Sequence, residues 1–327
     1  MTGRCAIRIA LLAMLGLVAS WTSIHAQQDY PSGQVTFVVP LPPGGTVDII
    51  ARALGERLQA YTGQPFVVEN VTGGNTMLAA ERVARAPADG NTILVATSTT
   101  LTTNPQFYRK LKYKIEDFQP ISLLAANEMI VHVRKALPAS NLKELIAYAE
   151  KTPGGITYAI LGRGSIAEVL GELMKAAFKV EMRAVSYRGS ALALMDVMKG
   201  EIHVHFDSIT STLSHTGSER TTMVASTGET RSPLLPNIPT LAELGYPDMT
   251  MDNIFAMLAP KGTPRPIVDK LNALVHRALA DPQLKGRLTA QGAPPRPTTP
   301  EGLAEVIARD SALFEKNVRE LKLPPID

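Results

Sequence analysis

Apolar and polar residues first follow a regular pattern between residues 35 and 58. Val35–Val39 (VTFVV) is a short, mostly β-branched apolar run, which predicts a buried strand. Residues 42–45 (PPGG) can continue neither a strand nor a helix. Thr46 is a good helix N-cap, and apolar residues then recur at helical spacing from Ile50 to Leu58. The pattern predicts a strand, a tight turn and a helix, in that order.

Two further units repeat this plan. Strands are predicted at 66–69 and 92–96, with a helix at 77–85 between them. A glycine-rich turn, 70–76 (NVTGGNT), precedes that helix, and the hydroxyl cluster 97–100 (TSTT) follows the second strand. Strands that alternate with helices form parallel βαβ units, whose ligands lie outside the carboxyl ends of the strands. These strand ends are therefore the first candidate ligand site.

A second series of strands and helices follows residues 105–120, which look irregular. The predicted strands are 129–133, 156–160, 182–185 and 202–206, and the predicted helices are 142–150, 165–178 and 191–199. A proline-rich connection from residue 231, a strand at 254–258 and helices at 264–280, 282–291 and 300–321 complete the chain. The pattern predicts an α/β fold of two lobes with facing strand ends. Each lobe has a mainly parallel sheet flanked by helices, and the helical tail is expected to pack back on the first lobe.

Length and composition agree with a folded protein of about two domains. The chain has 327 residues, of which 45% are hydrophobic and 19% charged. The formal net charge is +3, and removal of Arg4 and Arg8 with the leader described below would leave +1. Since no basic tract remains, the sequence argues against a nucleic-acid partner.

The first 26 residues have the three parts of a secretory signal peptide. Arg4 and Arg8 form a positive n-region, residues 9–19 an apolar core, and residues 24–26 (IHA) a cleavage site near Ala26. The apolar run is shorter than the ~20 residues of a membrane span, although an uncleaved anchor is the alternative interpretation. Cys5, the only cysteine, is removed with this segment. We therefore expect a periplasmic protein without disulfides.

The turn at 42–45 also has a chemical property. A helix start presents free N–H groups and the positive end of the helix dipole, which favours an anion. Gly44 lets a ligand approach the backbone because no Cβ intervenes. An ordinary βα turn has the same sequence features. The first three strand ends contain no cysteine or histidine, which suits holding a small polar ligand better than cleaving one.

Five segments taken together resemble one family: VTFVVPLPPGGTVDIIAR, ENVTGGNT, APADGNTILVATSTT, VSYRGSALALMDVMKGEIHVHFDS and RSPLLPNIPTLAELGYP. They are similar, in the same order, to the Bug-type periplasmic receptors of tripartite tricarboxylate transporters. The resemblance implies a type II-like periplasmic binding protein that closes on a ligand in the cleft between its lobes. It places lobe 1 at 27–127 plus 250–327 and lobe 2 at 128–249.

The resemblance also implies a ligand and partners. The ligands of the family are carboxylates, such as di- and tricarboxylates, acidic amino acids and aromatic acids. We expect a small organic acid, no cofactor, no catalytic residue, and a monomer that serves the membrane subunits of a tripartite transporter. A membrane signalling protein is the alternative partner.

Residues of this chain that match the family's cleft loops are the candidate ligand-binding residues. They are Pro43, Gly44, Asp48, Gly74, Asn75, Ser98, Thr99, Asn104, Gly164, Ser165, Tyr187, Gly189, Phe206 and Asp207. Neutral donors and helix starts can hold a carboxylate without burying an unpaired cation. Asp48 is expected to order its loop, because a second carboxylate facing the ligand would repel it.

Three residues depart from the family pattern. Arg163, in the segment GRGSIAE, either supplies a charge to a second acidic group of the ligand or is simply solvated. His203 and His205 are spaced as a metal pair would be, but no third ligand is evident, so no metal site is expected. His205, near a strand end, can instead adjust the polarity of the pocket.

Two enzyme classes are the remaining alternatives. Residues 162–167 (GRGSIA) satisfy the dinucleotide pattern G-x-G-x-x-A after a predicted strand, with Glu181 near the usual acidic spacing. That pattern is weak and lies in the middle of an exported chain. The sequence contains neither G-x-S-x-G nor H-E-x-x-H, and its histidines occur in no motif that orients a nucleophile. A binding protein fits better than a dehydrogenase or a hydrolase.

Overall fold

A computed structural model describes residues 30–213 and 220–326, in which nine β-strands and ten α-helices occur. The predicted signal peptide lies outside these residues. The strands are β1 Val35–Val39, β2 Phe66–Asn70, β3 Thr92–Thr97, β4 Phe118–Arg134, β5 Ile156–Ile160, β6 Met182–Ser186, β7 Val204–Ser208, β8 Thr221–Ser226 and β9 Asp252–Pro260.

The α-helices follow the strands in the predicted alternation. They are α1 Thr46–Thr62, α2 Met77–Ala84, α3 Asn104–Phe107, α4 Leu142–Lys151, α5 Ile166–Phe178, α6 Ser190–Lys199, α7 Ile209–Leu213, α8 Arg265–Ala280, α9 Pro282–Ala290 and α10 Pro300–Glu320. A π-helical turn, Thr99–Thr103, precedes α3. None of the helices in the described part of the chain is long and apolar enough to cross a membrane.

The strands form one sheet in the order β2-β1-β3-β9-β4-β7-β5-β6, with β8 also paired to β4. β1 is parallel to β2 and β3, and β5 is parallel to β6 and β7, which confirms the predicted α/β fold. We call β1–β3, β9 and the beginning of β4 the first sheet half. The end of β4 and β5–β8 are the second sheet half.

β4 belongs to both halves. Its residues up to Glu128 pair with β9, and from Met129 onward they pair with β7. The prediction that 105–120 is irregular was wrong at its end, because the strand begins at Phe118. The start of this strand was not predicted because it contains Pro120, and proline is rare inside a strand. The register shifts between Pro120 and Ser122, an irregularity of the kind that accommodates proline. β8, which pairs with β4, was not predicted at all.

β1, β3 and β9 of the first sheet half are buried on both faces, as expected of strands covered by helices, while the edge strand β2 is only partly buried. Val35, Phe37 and Val39 pack in one core with α1 and α8, while Val38 packs in a second core with α2. The helical tail behaves differently from the prediction. Its helices α8 and α9 pack on the first sheet half, but α10 contacts both halves, with Leu303 in the α2 core and Phe314 in the core of the second half.

Candidate functional site

The predicted ligand residues lie mostly in loops that follow the strands of both sheet halves, and these loops meet. The side-chain amide of Asn75 donates to the carbonyl of Arg163 at 2.8 Å, and the hydroxyl of Tyr108 donates to the same carbonyl at 3.2 Å. The hydroxyl oxygens of Thr46 and Ser208 lie 3.4 Å apart. The contacts of Asn75 and of Thr46 join the first half to the second, whereas Tyr108 itself packs against the core of the second half. The structure is therefore closed across its cleft.

The corner after β1 is held together by one carboxylate. Asp48 Oδ2 accepts from the N–H of Gly44 at 2.9 Å and from Nε of Arg52 at 3.0 Å, while Oδ1 accepts from the side chain of Asn70 at 3.0 Å. Gly44 has a positive φ of 87°, which favours glycine. Pro43 and Gly44 are exposed and Asp48 is buried. These contacts support the loop-ordering role expected of Asp48.

The ionisation of Asp48 follows from its partners. Burial by itself raises the pKa of this carboxyl, but the hydrogen bonds from Arg52, Gly44 and Asn70 outweigh burial and lower the pKa below its ordinary value. The N–H of Gly44 is bonded to Asp48 within the loop and is not free. No side chain caps α1, so the N–H groups of its first turn are the donors without an intrahelical partner.

The second loop is fixed by a pair of amides. Asn75 donates to Asn104 Oδ1 at 2.8 Å, and Asn104 donates back to the carbonyl of Asn75 at 2.8 Å. Gly74 and Asn75 both have positive φ angles, of 55° and 49°. Asn75 also donates to the carbonyl of Arg163, so this pair connects the loop of the first half to the second half.

Ser98 and Thr99 lie where β3 ends, but they differ in exposure. Ser98 is buried, and its hydroxyl accepts from the N–H of Ile254 at 2.8 Å, which ties β3 to β9. Thr99 begins the π-helical turn and is half-buried. The hydroxyl of Ser98 therefore serves the fold, and Thr99 is the more accessible of the two.

The loop after β5 is built around Glu168. This carboxylate accepts from the N–H of Gly164 and pairs with Arg163 Nε at 2.7 Å, while the Ser165 side chain caps α5 by accepting from the N–H of Glu168. Burial raises the pKa of Glu168 although Gly164 and Arg163 oppose that shift. The charge of Arg163 is thus directed at Glu168.

The ion pair leads to a test of Arg163. We expect Arg163→Gln to change ligand affinity by less than about threefold, because the guanidinium compensates a buried carboxylate and is not left for the ligand. Isothermal titration calorimetry of the variant and the wild type measures this. Lys175→Gln, which removes a cation near the other end of α5, is the control. A loss of tenfold or more in Arg163→Gln would instead assign this charge to the ligand.

The predicted residues after β6 and within β7 are divided between surface and core. The hydroxyl of Tyr187 donates to Asp196 at 3.0 Å, and burial together with Asp196 raises the pKa of Tyr187 to about 12. Gly189 precedes α6, which has no side-chain cap. Phe206 is buried against Tyr158, with ring centroids 5.8 Å apart. Phe206 therefore packs in the core of the second half, and a contact with the ligand stays a prediction.

A hydrogen-bonded chain of three side chains ends at Asp207. Ser190 Oγ lies 2.8 Å from His205 Nε2 and 2.6 Å from Asp207 Oδ1. His205 and Asp207 are both buried, and Asp207 Oδ1 also accepts from the N–H of Ser208 at 2.9 Å. Burial lowers the pKa of His205, although the charge of Asp207 opposes this shift. The imidazole is therefore neutral near pH 7.

His203 takes no part in this chain. Its Nδ1 accepts from the N–H of Thr157 at 3.0 Å, which extends the pairing of β7 with β5. Within residues 30–213 and 220–326, no group of three or more His, Cys, Asp or Glu side chains is arranged to hold a metal ion.

Sequence reasoning missed three hydroxyl residues of the site. Thr46 and Ser208 meet across the cleft, and Ser190 links His205 to Asp207. Each directly follows a glycine turn or a strand-end residue that was predicted. That position, the first residue after a strand end or at a helix start, is the signal that would have found them.

A cavity of about 240 Å³ lies at a different place. Glu128, Gly228, Asp252 and Arg296 are among its lining residues, so it adjoins the point where β4 passes from one half to the other. Arg296 pairs with Asp252 at 2.9 Å at its edge. None of the predicted ligand residues lines this cavity. Several of the predicted ligand residues lie instead in the loops that meet across the cleft.

Comparison with known proteins identifies the class. A solved structure of the R. palustris protein Rpa4515 with adipate has a TM-score of 0.86 and 34% identity, and the match covers 91% of this chain and 100% of that one. MatC from Rhodopseudomonas palustris with bound malate has a TM-score of 0.81 and 32% identity, covering 88% and 100% of the two chains. The fold and these similarities define a solute-binding receptor of the periplasmic binding protein class.

The family follows from the sequence matches. The family model described as "Tripartite tricarboxylate transporter family receptor" matches residues 50–323. BugT of Bordetella pertussis is 32% identical over 315 residues, which are 95% of this chain and 97% of BugT. The chain belongs to the tripartite tricarboxylate transporter family of receptors, and its predicted Bug-type resemblance is confirmed.

Proposed function

We propose that this receptor captures a small carboxylate between its sheet halves and delivers it to the membrane subunits of a tripartite transporter. The observation that carries the proposal is the meeting of the two sets of loops beside uncapped helix starts, those of α1, α2 and α6. Such helix starts offer N–H donors and a positive dipole end to an anion. The malate and adipate found with the two similar structures are acids of the expected kind.

The proposed ligand contacts are divided between the halves. The first turn of α1 and the loops at Gly44 and Gly74 receive one carboxylate. Thr99 and Asn104 lie beside them, and Asn104 acts by holding Asn75. In the second half, Gly189 and Asp207 contact the far end of the ligand, while Ser165 and Tyr187 position their loops through the hydrogen bonds described above.

Closure is the proposed mechanism. The two lobes are 27–127 plus 250–327 and 128–249, and the change of partner in β4 at Glu128 supports a hinge at this boundary. α10 spans the boundary and would have to slide or bend with the motion. A ligand that contacts both lobes binds the closed state better and therefore shifts the population toward it.

The test of the proposed function starts with purified mature protein. Thermal shift and calorimetry with mono-, di- and tricarboxylates, aromatic acids and acidic amino acids should identify a ligand that raises Tm by mass action. Small-angle scattering should then show compaction on binding. Binding without compaction would contradict closure, and catalytic consumption of the acid would contradict a receptor that performs no reaction.

The role of the receptor in the cell needs a separate experiment. Deletion of its gene should abolish uptake of the identified acid. A deletion that leaves uptake intact but removes a transcriptional response to the acid would favour the alternative, a sensor that partners a membrane signalling protein. Mass spectrometry of the exported protein should place its first residue after Ala26, as expected of a periplasmic receptor.

A further inference from the structure

Asp207 has one oxygen that is satisfied and one that is not. Oδ1 accepts two hydrogen bonds, from the hydroxyl of Ser190 and the N–H of Ser208. Oδ2 is buried and has no hydrogen-bond partner, and the whole residue is only 3% exposed. A buried acceptor without a donor is costly, so it marks a place where a partner is expected.

The hydrogen-bond order shows why the protein itself does not supply that partner. A carboxylate only accepts, so Ser190 donates its single hydroxyl hydrogen to Asp207. His205 Nε2 must then donate to Ser190 Oγ, which makes His205 the neutral Nε2–H tautomer. His205 Nε2 lies 3.7 Å from Asp207 Oδ2, beyond hydrogen-bond distance. Ser190 and Ser208 therefore both donate to Asp207 Oδ1, and Asp207 Oδ2 receives no hydrogen bond from the described residues.

The position of Asp207 relates this oxygen to the cleft. Asp207 is at the carboxyl end of β7, one residue before Ser208, whose hydroxyl lies 3.4 Å from that of Thr46 in the first half. The uncapped start of α6 is beside it through Ser190. The unsatisfied acceptor thus lies at the strand end where the two halves meet.

We propose that Asp207 Oδ2 accepts a hydrogen bond from a hydroxyl or ammonium group of the ligand, so that the receptor selects hydroxy or amino acids over the matching plain acids. The proposal rests on the proposed function and deepens it by naming the class of acid. A plain dicarboxylate would bring only acceptors to this end and would face the charge of Asp207, which is unfavourable. A ligand that donates both satisfies the oxygen and avoids that repulsion.

The experiment compares acids that differ by one hydroxyl. Calorimetry at pH 7 is done with three pairs: succinate and malate, glutarate and 2-hydroxyglutarate, 3-phenylpropionate and 3-phenyllactate. Aspartate and glutamate form the ammonium arm. The pair that fits the cleft should favour the donor-bearing acid by at least about tenfold, the loss expected when a buried charged acceptor stays unpaired.

Asp207→Asn tests the assigned atom. An amide at this position can donate to a ligand carboxylate, so the preference should fall to within about threefold in the variant. Asp269→Asn, a change to an exposed carboxylate on α8 that pairs with Arg265, should keep the wild-type preference. Wild-type protein that binds the plain acid as tightly as its hydroxy or amino counterpart overturns the proposal without any variant, and so does an unchanged preference in a folded Asp207→Asn. If no acid of any class binds, the proposed function fails as well, which distinguishes the two failures.

Discussion

Gly162→Ala should weaken ligand binding by about tenfold or more. A Cβ at Gly162 would lie 2.7 Å from Asn75 Oδ1, a contact between the two halves that exists only when the loops meet. Asn75 cannot move away freely, because its amide bonds both Asn104 and the carbonyl of Arg163. Losing that cross-cleft bond costs about 1 kcal/mol, and the steric clash adds to it, so the closed state is penalised by at least about one factor of ten.

The backbone of Gly162 requires a matched control. Its φ of 149° is also unfavourable for alanine, which lowers the stability of open and closed forms alike. Gly154 has a positive φ of 77°, and a Cβ added there would have no neighbour within 4 Å, so Gly154→Ala carries backbone strain without a cross-cleft contact. Both variants should lose Tm, and only Gly162→Ala should lose affinity. Wild-type affinity in Gly162→Ala would show that the loops need not meet for binding.

The βα units of the fold were predictable because each depends on local periodicity. β1 with α1 and β5 with α5 have clean changes from β-branched runs to helical spacing, and their starts lie at or next to the predicted residues. β4 was not predictable in full. A strand of 17 residues that contains proline looks like two unrelated segments in the sequence until its partner β9 is known. The second contact of α10 likewise depends on packing between elements distant in sequence.

The site was predictable as a set of loops but not as a set of contacts. Turn residues placed Gly44, Asn75 and Asp207 at strand ends, where the structure also has them. The partner of each polar group could not be predicted from the sequence. The Arg163 side chain pairs with Glu168, and the N–H of Gly44 donates to Asp48, because of the local geometry of each loop. Alternate residues of a strand face opposite sides, so Phe206, which packs against Tyr158, does not share the strand face of Asp207.

Asp48→Ala should destabilise the protein by about 2–4 kcal/mol and weaken ligand binding by more than about tenfold. The variant leaves the Gly44 N–H without its acceptor, leaves the Asn70 amide with only the carbonyl of Leu41, and removes the carboxylate partner of Arg52. The corner before α1 then loses the contact that fixes it. Denaturant unfolding gives the change in stability, and calorimetry gives the change in affinity.

The pH dependence distinguishes the charge of Asp48 from its shape. The pKa of Asp48 is lowered in the folded protein, so its contribution to stability is present above the ordinary carboxyl pKa of 3.8 and is lost as the pH falls through the lower folded value. Asp48→Asn keeps the shape without the charge. Its deficit relative to wild type should therefore be full at pH 7 and shrink below about pH 4.

Asp269→Asn is the matched control for Asp48. Asp269 also pairs with an arginine four residues away, Arg265, but both side chains are more than half exposed. Solvent screens such a pair, so its removal should leave stability almost unchanged at either pH. A deficit in Asp48→Asn that persists undiminished at about pH 3 would contradict the role of the carboxylate charge. In that case the deficit would come from the exchange of an acceptor oxygen for an amide NH2 group, because both oxygens of Asp48 accept hydrogen bonds, and not from the lost charge.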